Sequence, residues 1–137
     1  LAMPIAASLG GIAGFAFALV ANASFDFISG RVGLWTVYTS LSYGIVGFGG
    51  WYFLKGTELK PKHFLGYSVA GVLFFDFVTA LAFGFQFGQT LEATLLGQIP
   101  FTLYHLLGAA FFSLTLAPIA WHYLFKQETL VSVTAKA

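Results

Sequence analysis

The chain has 137 residues, of which 58% are hydrophobic and only 8% charged, and its net charge is +1. A soluble domain carries about 25% charged residues, so this chain has too little polar surface to face water on all sides. We therefore predict an integral membrane protein. The small net charge argues against a nucleic-acid partner, and the absence of cysteine excludes disulfides and thiolate metal sites.

Four apolar stretches follow one another along the chain, and each approaches the roughly 20 residues that cross a bilayer core. They cover residues 4–25, 35–54, 64–85 and 101–125. Backbone groups in lipid need partners within the segment, so helices are expected rather than strands. The predicted fold is an all-α integral membrane bundle of about four transmembrane helices within residues 1–126, followed by a short cytoplasmic tail at 127–137.

Prolines and the start of the chain refine this prediction. Pro4 and Pro100 are expected in first turns, where a missing N–H does no harm. Pro118 lies inside the fourth stretch and is expected to kink that helix. The chain begins at Leu1 without an initiator methionine, so we expect a fragment or a processed chain. A signal peptide is the alternative for the first stretch, but no basic residue precedes it.

Lysines are confined to one connection and to the tail: Lys55, Lys60 and Lys62 in the connection, Lys126 and Lys136 in the tail. Two predicted spans separate the connection from the tail, so both lie on one side of the membrane. The positive-inside rule makes that side cytoplasmic. The turn at residues 29–33 and the connection that opens at residues 88–92 are then outside.

Asp76 is the strongest candidate for a functional side chain, because it lies within the third stretch among phenylalanines. A carboxylate inside a membrane span costs at least about 2.5–3.5 kcal/mol to insert, so such residues usually face a bundle interior or a cavity. We predict a ligand or ion contact. The alternative is an acid near the outer interface that accepts a hydrogen bond from a helix end. Thr79 follows at i+3 on the same face.

A second set of candidates lies on the neighbouring stretches. Gln98, Thr102 and His105 repeat at helical spacing, and Trp35 and Tyr38 begin the second stretch. Aromatic residues at this depth often form only an interface belt, and a histidine can equally bond another helix. A binding pocket with a few polar groups fits this combination of aromatic residues with glutamine, threonine and histidine better. We predict a substrate site in the outer half of the membrane, lined by Trp35, Tyr38, Asp76, Thr79, Gln98, Thr102 and His105.

Two further features have structural interpretations. Asp26 ends the first stretch, where an acid opposes the helix dipole, and the nearby Arg31 is its expected partner. The first stretch also carries small residues four positions apart, a spacing that lets helices approach closely. We expect these residues to pack tightly, either within the chain or as contacts to a partner subunit: Ala7, Gly10, Gly11 and Gly14.

No cofactor, metal or enzymatic activity is predicted. His63 and His122 could hold a haem, with one axial ligand from each of two helices. Both lie near the predicted cytoplasmic side, however, where snorkelling interface residues explain them equally well. The sequence has no nucleotide-binding loop, zinc signature or nucleophile elbow. ATP hydrolysis by this chain is therefore not expected.

Five runs of residues carry a family resemblance: Ser24–Phe27, Gly33–Trp35, Leu41–Gly47, Phe75–Ala80 and Ile99–Gly108. They resemble runs in the substrate-binding S components of energy-coupling factor (ECF) transporters. Such components usually have six helices, so the resemblance implies that this chain is the C-terminal part of that fold. An asparagine often follows the last-helix glycine in that family, whereas this chain has Ala109.

The resemblance implies capture of a vitamin or similar micronutrient from outside by a multi-pass protein of the prokaryotic plasma membrane. The implied partners are the lipid bilayer, a coupling transmembrane subunit and two ATPase subunits. Two other classes stay open, namely a haem-binding membrane redox subunit and a small structural or partner membrane protein. The sequence does not name the substrate. Asp26 and Asp76 favour a cationic or hydrogen-bond-donating group, and the aromatic residues favour a ring.

Overall fold

The structure is a computed structural model that describes residues 2–55 and 59–125. All regular secondary structure in these residues is helical, which confirms the predicted class. Lys126 and the predicted tail at 127–137, which includes Lys136, lie outside the described residues. The helices are α1 (Ala2–Leu9), α2 (Gly11–Ile28), α3 (Leu34–Leu54), α4 (Pro61–Gln86), α5 (Leu91–Leu114) and α6 (Leu116–Ala120), followed by a π-helical turn at Trp121–Phe125.

The number of spanning helices differs from the prediction. Three helical segments of the described chain are long and apolar enough to cross a membrane: Gly11–Ile28, Pro61–Gln86 and Leu91–Leu124. They support a helical membrane protein, but the prediction of about four spans is wrong. The second predicted stretch does form a helix, α3, of 21 residues. It is not among the three segments, because threonine, serine, tyrosine and glycine occupy many of its positions and lower its mean hydropathy.

The first predicted helix is two helices, because the chain turns at Gly10 between α1 and α2. Gly10 has a φ of 97°, in the left-handed region that glycine adopts without a steric penalty. Pro4 lies in the first turn of α1, as predicted. The break lets α1 fold back and pack on α2 and α3 instead of extending the span.

The last predicted helix begins earlier than the sequence indicated. α5 starts at Leu91, where the Thr90 hydroxyl caps it by accepting a hydrogen bond from Ala93 N at 3.3 Å. Pro100 is therefore inside α5 and not at a helix start. α5 ends at Leu114, whose carbonyl would have been the partner of the N–H that Pro118 lacks. The predicted disruption by Pro118 thus coincides with the break between α5 and α6.

The bundle consists of two hairpins of adjacent helices. In the first, α2 and α3 approach so closely that a methyl group on Gly14 would lie 2.6 Å from the Gly47 carbonyl oxygen. In the second, α4 and α5 approach closely where Gly84 faces Thr94, since a methyl group on Gly84 would collide with the Thr94 side chain. An apolar cluster of Leu54, Phe64 and Ala117 lies at the end of the bundle that carries Lys55, Lys60 and Lys62, which we call the lysine end. The contact of Gly84 with Thr94 sets the register of α4 relative to α5, that is, which of their residues lie side by side.

Candidate functional site

Asp76 and His105 meet across the α4–α5 hairpin. The helices α4 and α5 run alongside each other from the contact between Gly84 and Thr94. Further along this hairpin, His105 Nδ1 lies 2.6 Å from Asp76 Oδ1. Asp76 is only 2% exposed, whereas the His105 side chain is 48% exposed. The second carboxylate oxygen, Asp76 Oδ2, is buried and has no hydrogen-bond partner among the described residues. The pair thus leaves one buried acceptor available.

A groove between the same two helices passes beside Asp76. Its volume is about 480 Å³. Apolar side chains form most of its wall, and three polar side chains interrupt it. The lining residues are Leu73, Asp76 and Phe77 of α4 and Leu95, Gln98, Ile99, Thr102 and Leu103 of α5. We refer to this feature as the α4–α5 groove.

The structure brings together four of the seven predicted site residues. Asp76, Gln98 and Thr102 line the α4–α5 groove, and His105 contacts Asp76 from one turn further along α5. Gln98, Thr102 and His105 share a helix face, as the spacing of three and four residues predicted. The membership of these residues in a substrate site stays a prediction, but their proximity is a structural fact.

The other three predicted residues are not among those that line the groove. Thr79 is buried, and its hydroxyl donates to the Phe75 carbonyl of its own helix at 2.8 Å. The Trp35 ring meets Phe83 edge to face, with ring centroids 5.8 Å apart. Tyr38 is half-buried on α3. Trp35 therefore packs on α4 through Phe83, which is not among the residues that line the groove.

Sequence reasoning missed the apolar wall of the groove. Leu73 and Phe77 are four residues apart on α4, and Leu95, Ile99 and Leu103 repeat at the same interval on α5. This spacing marks one helix face. The pattern was present in the sequence, but Leu95 and Ile99 precede the predicted start of the fourth helix. The early start of α5 is what adds them to the site.

The predicted pair of Asp26 and Arg31 is not formed as an ion pair between these two described side chains. Their contact is between backbones, because Arg31 N donates to the Asp26 carbonyl at 2.9 Å. The Asp26 carboxyl is 7% exposed, and its Oδ2 has no hydrogen-bond partner in the described structure. One turn earlier on α2, Asn22 Nδ2 donates to Thr39 Oγ1 at 2.9 Å and to Ser40 Oγ at 3.2 Å. Polar contacts thus link α2 to α3.

The small residues of the first stretch pack inside the chain. A methyl group on Gly11 would lie 2.9 Å from the Phe48 ring, and one on Gly14 would lie 2.5 Å from the Ala6 side chain. Ala7 packs against the apolar cluster at the lysine end, and Gly10 forms the break between α1 and α2. The small residues therefore make close contacts within the chain, which is one of the two outcomes that their spacing predicted. Contact of the same residues with a partner subunit stays a prediction.

The two histidines considered for haem have local contacts at the lysine end. His63 Nδ1 accepts a hydrogen bond from Lys60 N at 3.2 Å, at the start of α4. The His122 ring packs edge to face on Tyr123, with centroids 4.9 Å apart. Across residues 2–55 and 59–125, no group of three or more His, Cys, Asp or Glu side chains is placed to hold a metal ion.

Chemically, the α4–α5 groove offers hydrogen-bond acceptors within an apolar surface. Asp76 Oδ2 has no donor from the described chain, and Gln98 and Thr102 add an amide and a hydroxyl. Such a combination of apolar wall and few polar groups is typical of small-molecule sites. In comparisons with known proteins, no family model, no curated protein and no solved structure matches this chain.

Proposed function

We propose that this chain is a substrate-capture membrane subunit and that it binds a small organic molecule in the α4–α5 groove. The observation that carries the proposal is that Asp76 lines the groove, while its second carboxylate oxygen is buried without a hydrogen-bond donor among the described residues. Leaving such an acceptor unsatisfied costs about 1–3 kcal/mol, and more for a charged group. A ligand that donates to Oδ2 would recover this cost.

The size and lining of the groove support the same proposal. Its volume of about 480 Å³ falls within the roughly 300–1,000 Å³ that is usual for small-molecule sites. Leucine, isoleucine and phenylalanine side chains supply contact area for an apolar part of the ligand. Asp76, Gln98 and Thr102 supply orientation, because hydrogen bonds to these residues require donors at set positions.

The resemblance to S components of ECF transporters supports a role in import. In this proposal the ligand is a vitamin or similar micronutrient, and a coupling subunit with two ATPases supplies the energy. The chain itself has no nucleotide-binding loop. The lysine connection is proposed to face the cytoplasm of a prokaryotic cell. Asp76 is nearer to the far end of α4 than to this connection, so the groove would lie in the outer half of the membrane.

Mass spectrometry of molecules that co-purify with the full chain tests this proposal. The test variant is Asp76→Asn, which keeps the shape of the side chain and removes its charge. The matched control is Asp26→Asn, because Asp26 is also a buried acid with an unpartnered oxygen but does not line the groove. We expect at least about tenfold lower ligand occupancy in Asp76→Asn, as for loss of a charged hydrogen bond, and unchanged occupancy in Asp26→Asn.

A proton-coupled transporter is the second candidate, and the contact between Asp76 and His105 favours it. Carboxylate and histidine side chains inside membrane spans form proton relays in pumps and transporters. Reconstitution of the chain alone in liposomes separates the two candidates. A capture subunit binds ligand but accumulates none under a proton gradient, and it begins uptake when the coupling subunit, the ATPases and ATP are added. Gradient-driven accumulation by the chain alone would establish the second candidate instead.

A further inference from the structure

We infer that the ligand of the α4–α5 groove is a primary organic ammonium ion with an apolar body. This inference rests on the proposed function and adds the chemical class of the ligand. The juxtaposition that carries it is a buried carboxylate, with one oxygen that has no partner in the described part of the chain, in the same groove as an amide and a hydroxyl on an otherwise apolar wall. The charge balance, the donor count and the shape of the wall each support it.

The described side chain that pairs with Asp76 is a histidine, which carries a positive charge only when it is protonated. Of the side chains that the structure describes, His105 is the one in ion-pair contact with Asp76, and it engages Oδ1. The fixed cation Arg31 lies in the turn after α2, and Lys62 lies at the start of α4, far along the helix from Asp76. A buried charge without a fixed counter-charge is costly. A cationic ligand at Oδ2 would supply a counter-charge where no described lysine or arginine supplies one.

The donor count distinguishes an ammonium group from other donors. A primary ammonium has three N–H donors and no acceptor. The groove presents three groups that accept hydrogen bonds, namely the Asp76 carboxylate, the Gln98 amide oxygen and the Thr102 hydroxyl. Gln98 and Thr102 are four residues apart on α5, so they occupy adjacent turns of one face opposite Asp76. An anionic ligand would instead be repelled by the carboxylate.

The wall of the groove defines the rest of the ligand. Leu73 precedes Asp76 and Phe77 follows it on α4, and Leu95, Ile99 and Leu103 line the groove from α5. These side chains offer no hydrogen bonds, so the part of the ligand beyond the ammonium group is apolar. An apolar body also displaces water from the site, which strengthens the interaction between the ammonium group and the carboxylate.

Binding of three phenyl compounds of similar size to the detergent-solubilised full chain tests the inference. The probes are phenethylamine, which is cationic, 2-phenylethanol, which is neutral, and phenylacetate, which is anionic. We expect phenethylamine to bind at least about tenfold more tightly than either other probe, as for a charged hydrogen bond. Asp76→Asn protein is the control for partition of the probes into detergent. In this variant the preference for phenethylamine over the other two probes should disappear.

Two further variants make the result decisive. Asp26→Asn should keep the preference for phenethylamine, whereas Gln98→Leu should reduce it without altering Asp76. Equal binding of amine and alcohol, retention of the preference in Asp76→Asn, or no binding of any probe would each overturn the inference. If a neutral or anionic molecule co-purifies at the groove, the proposed function stands and this inference fails. If the wild-type chain carries no molecule at all, the proposed function itself fails.

Discussion

His105 of α5 contacts the buried carboxyl of Asp76 of α4, with 2.6 Å between Nδ1 and Oδ1. This contact joins the two helices at one carboxylate oxygen of a residue that lines the α4–α5 groove, and the other oxygen is buried without a partner among the described residues. The pair of Asp76 and His105 therefore has a structural role and a proposed role in binding. Variants of these two residues distinguish the two roles.

Removal of the histidine tests the structural part. We expect His105→Leu to lower the free energy of unfolding by about 1–3 kcal/mol, because Asp76 Oδ1 loses its partner in a buried position. His122→Leu is the control, since His122 lies at the lysine end. Thermal unfolding in detergent measures both. In the double variant with Asp76→Asn the loss should be smaller than the sum of the two single losses. Strict additivity would show that the two side chains are not coupled.

The first hairpin depends on the close approach of Gly14 and Gly47. We expect Gly47→Ala to destabilise the protein by about 1–3 kcal/mol, because the added methyl group would overlap the Gly14 carbonyl. Gly97→Ala is the matched control, as a methyl group there meets nothing within 4 Å. Alanine at 97 should be neutral or stabilise α5 by up to about 1 kcal/mol. Similar melting temperatures for the two variants would contradict this packing.

The register of the second hairpin depends on Gly84 and Thr94. A methyl group on Gly84 would collide with the Thr94 side chain, so we expect Gly84→Ala to push α4 and α5 apart and to weaken ligand binding in the groove. Shortening the neighbour in a Gly84→Ala/Thr94→Ala variant should restore much of the binding and stability. Absence of rescue in the double variant would show that this contact does not set the register.

The orientation of α4 can be measured directly because the chain has no native cysteine. Lys62 and Gln89 are exposed residues at opposite ends of this apolar helix. Following the lysine asymmetry, we expect a membrane-impermeant thiol reagent to label Gln89→Cys in intact cells and Lys62→Cys only after permeabilisation. Labelling of Lys62→Cys alone in intact cells would invert the proposed orientation.

Composition and helical periodicity determined the general character of this protein. A chain with few charges and long apolar stretches has to form helices in an apolar solvent, whatever its tertiary contacts. Periodicity likewise placed Gln98, Thr102 and His105 on one face, because that relation depends only on the residues per helical turn. The number of spans was less predictable, since α3 has the length of a span but is not among the three segments that are apolar enough to cross a membrane.

Only the tertiary structure decided which faces meet. Periodicity assigns a residue to a face, but the neighbour of that face depends on where each helix begins and how closely two backbones approach. The break at Gly10, the start of α5 at Leu91 and the contact of Gly84 with Thr94 set these positions. The start of α5 and the Gly84–Thr94 contact place His105 beside Asp76, whereas the turn after α2 gives Asp26 a backbone contact with Arg31 in place of the predicted ion pair. Trp35 and Tyr38 are left outside the groove lining, because α4 and α5 form that groove without α3.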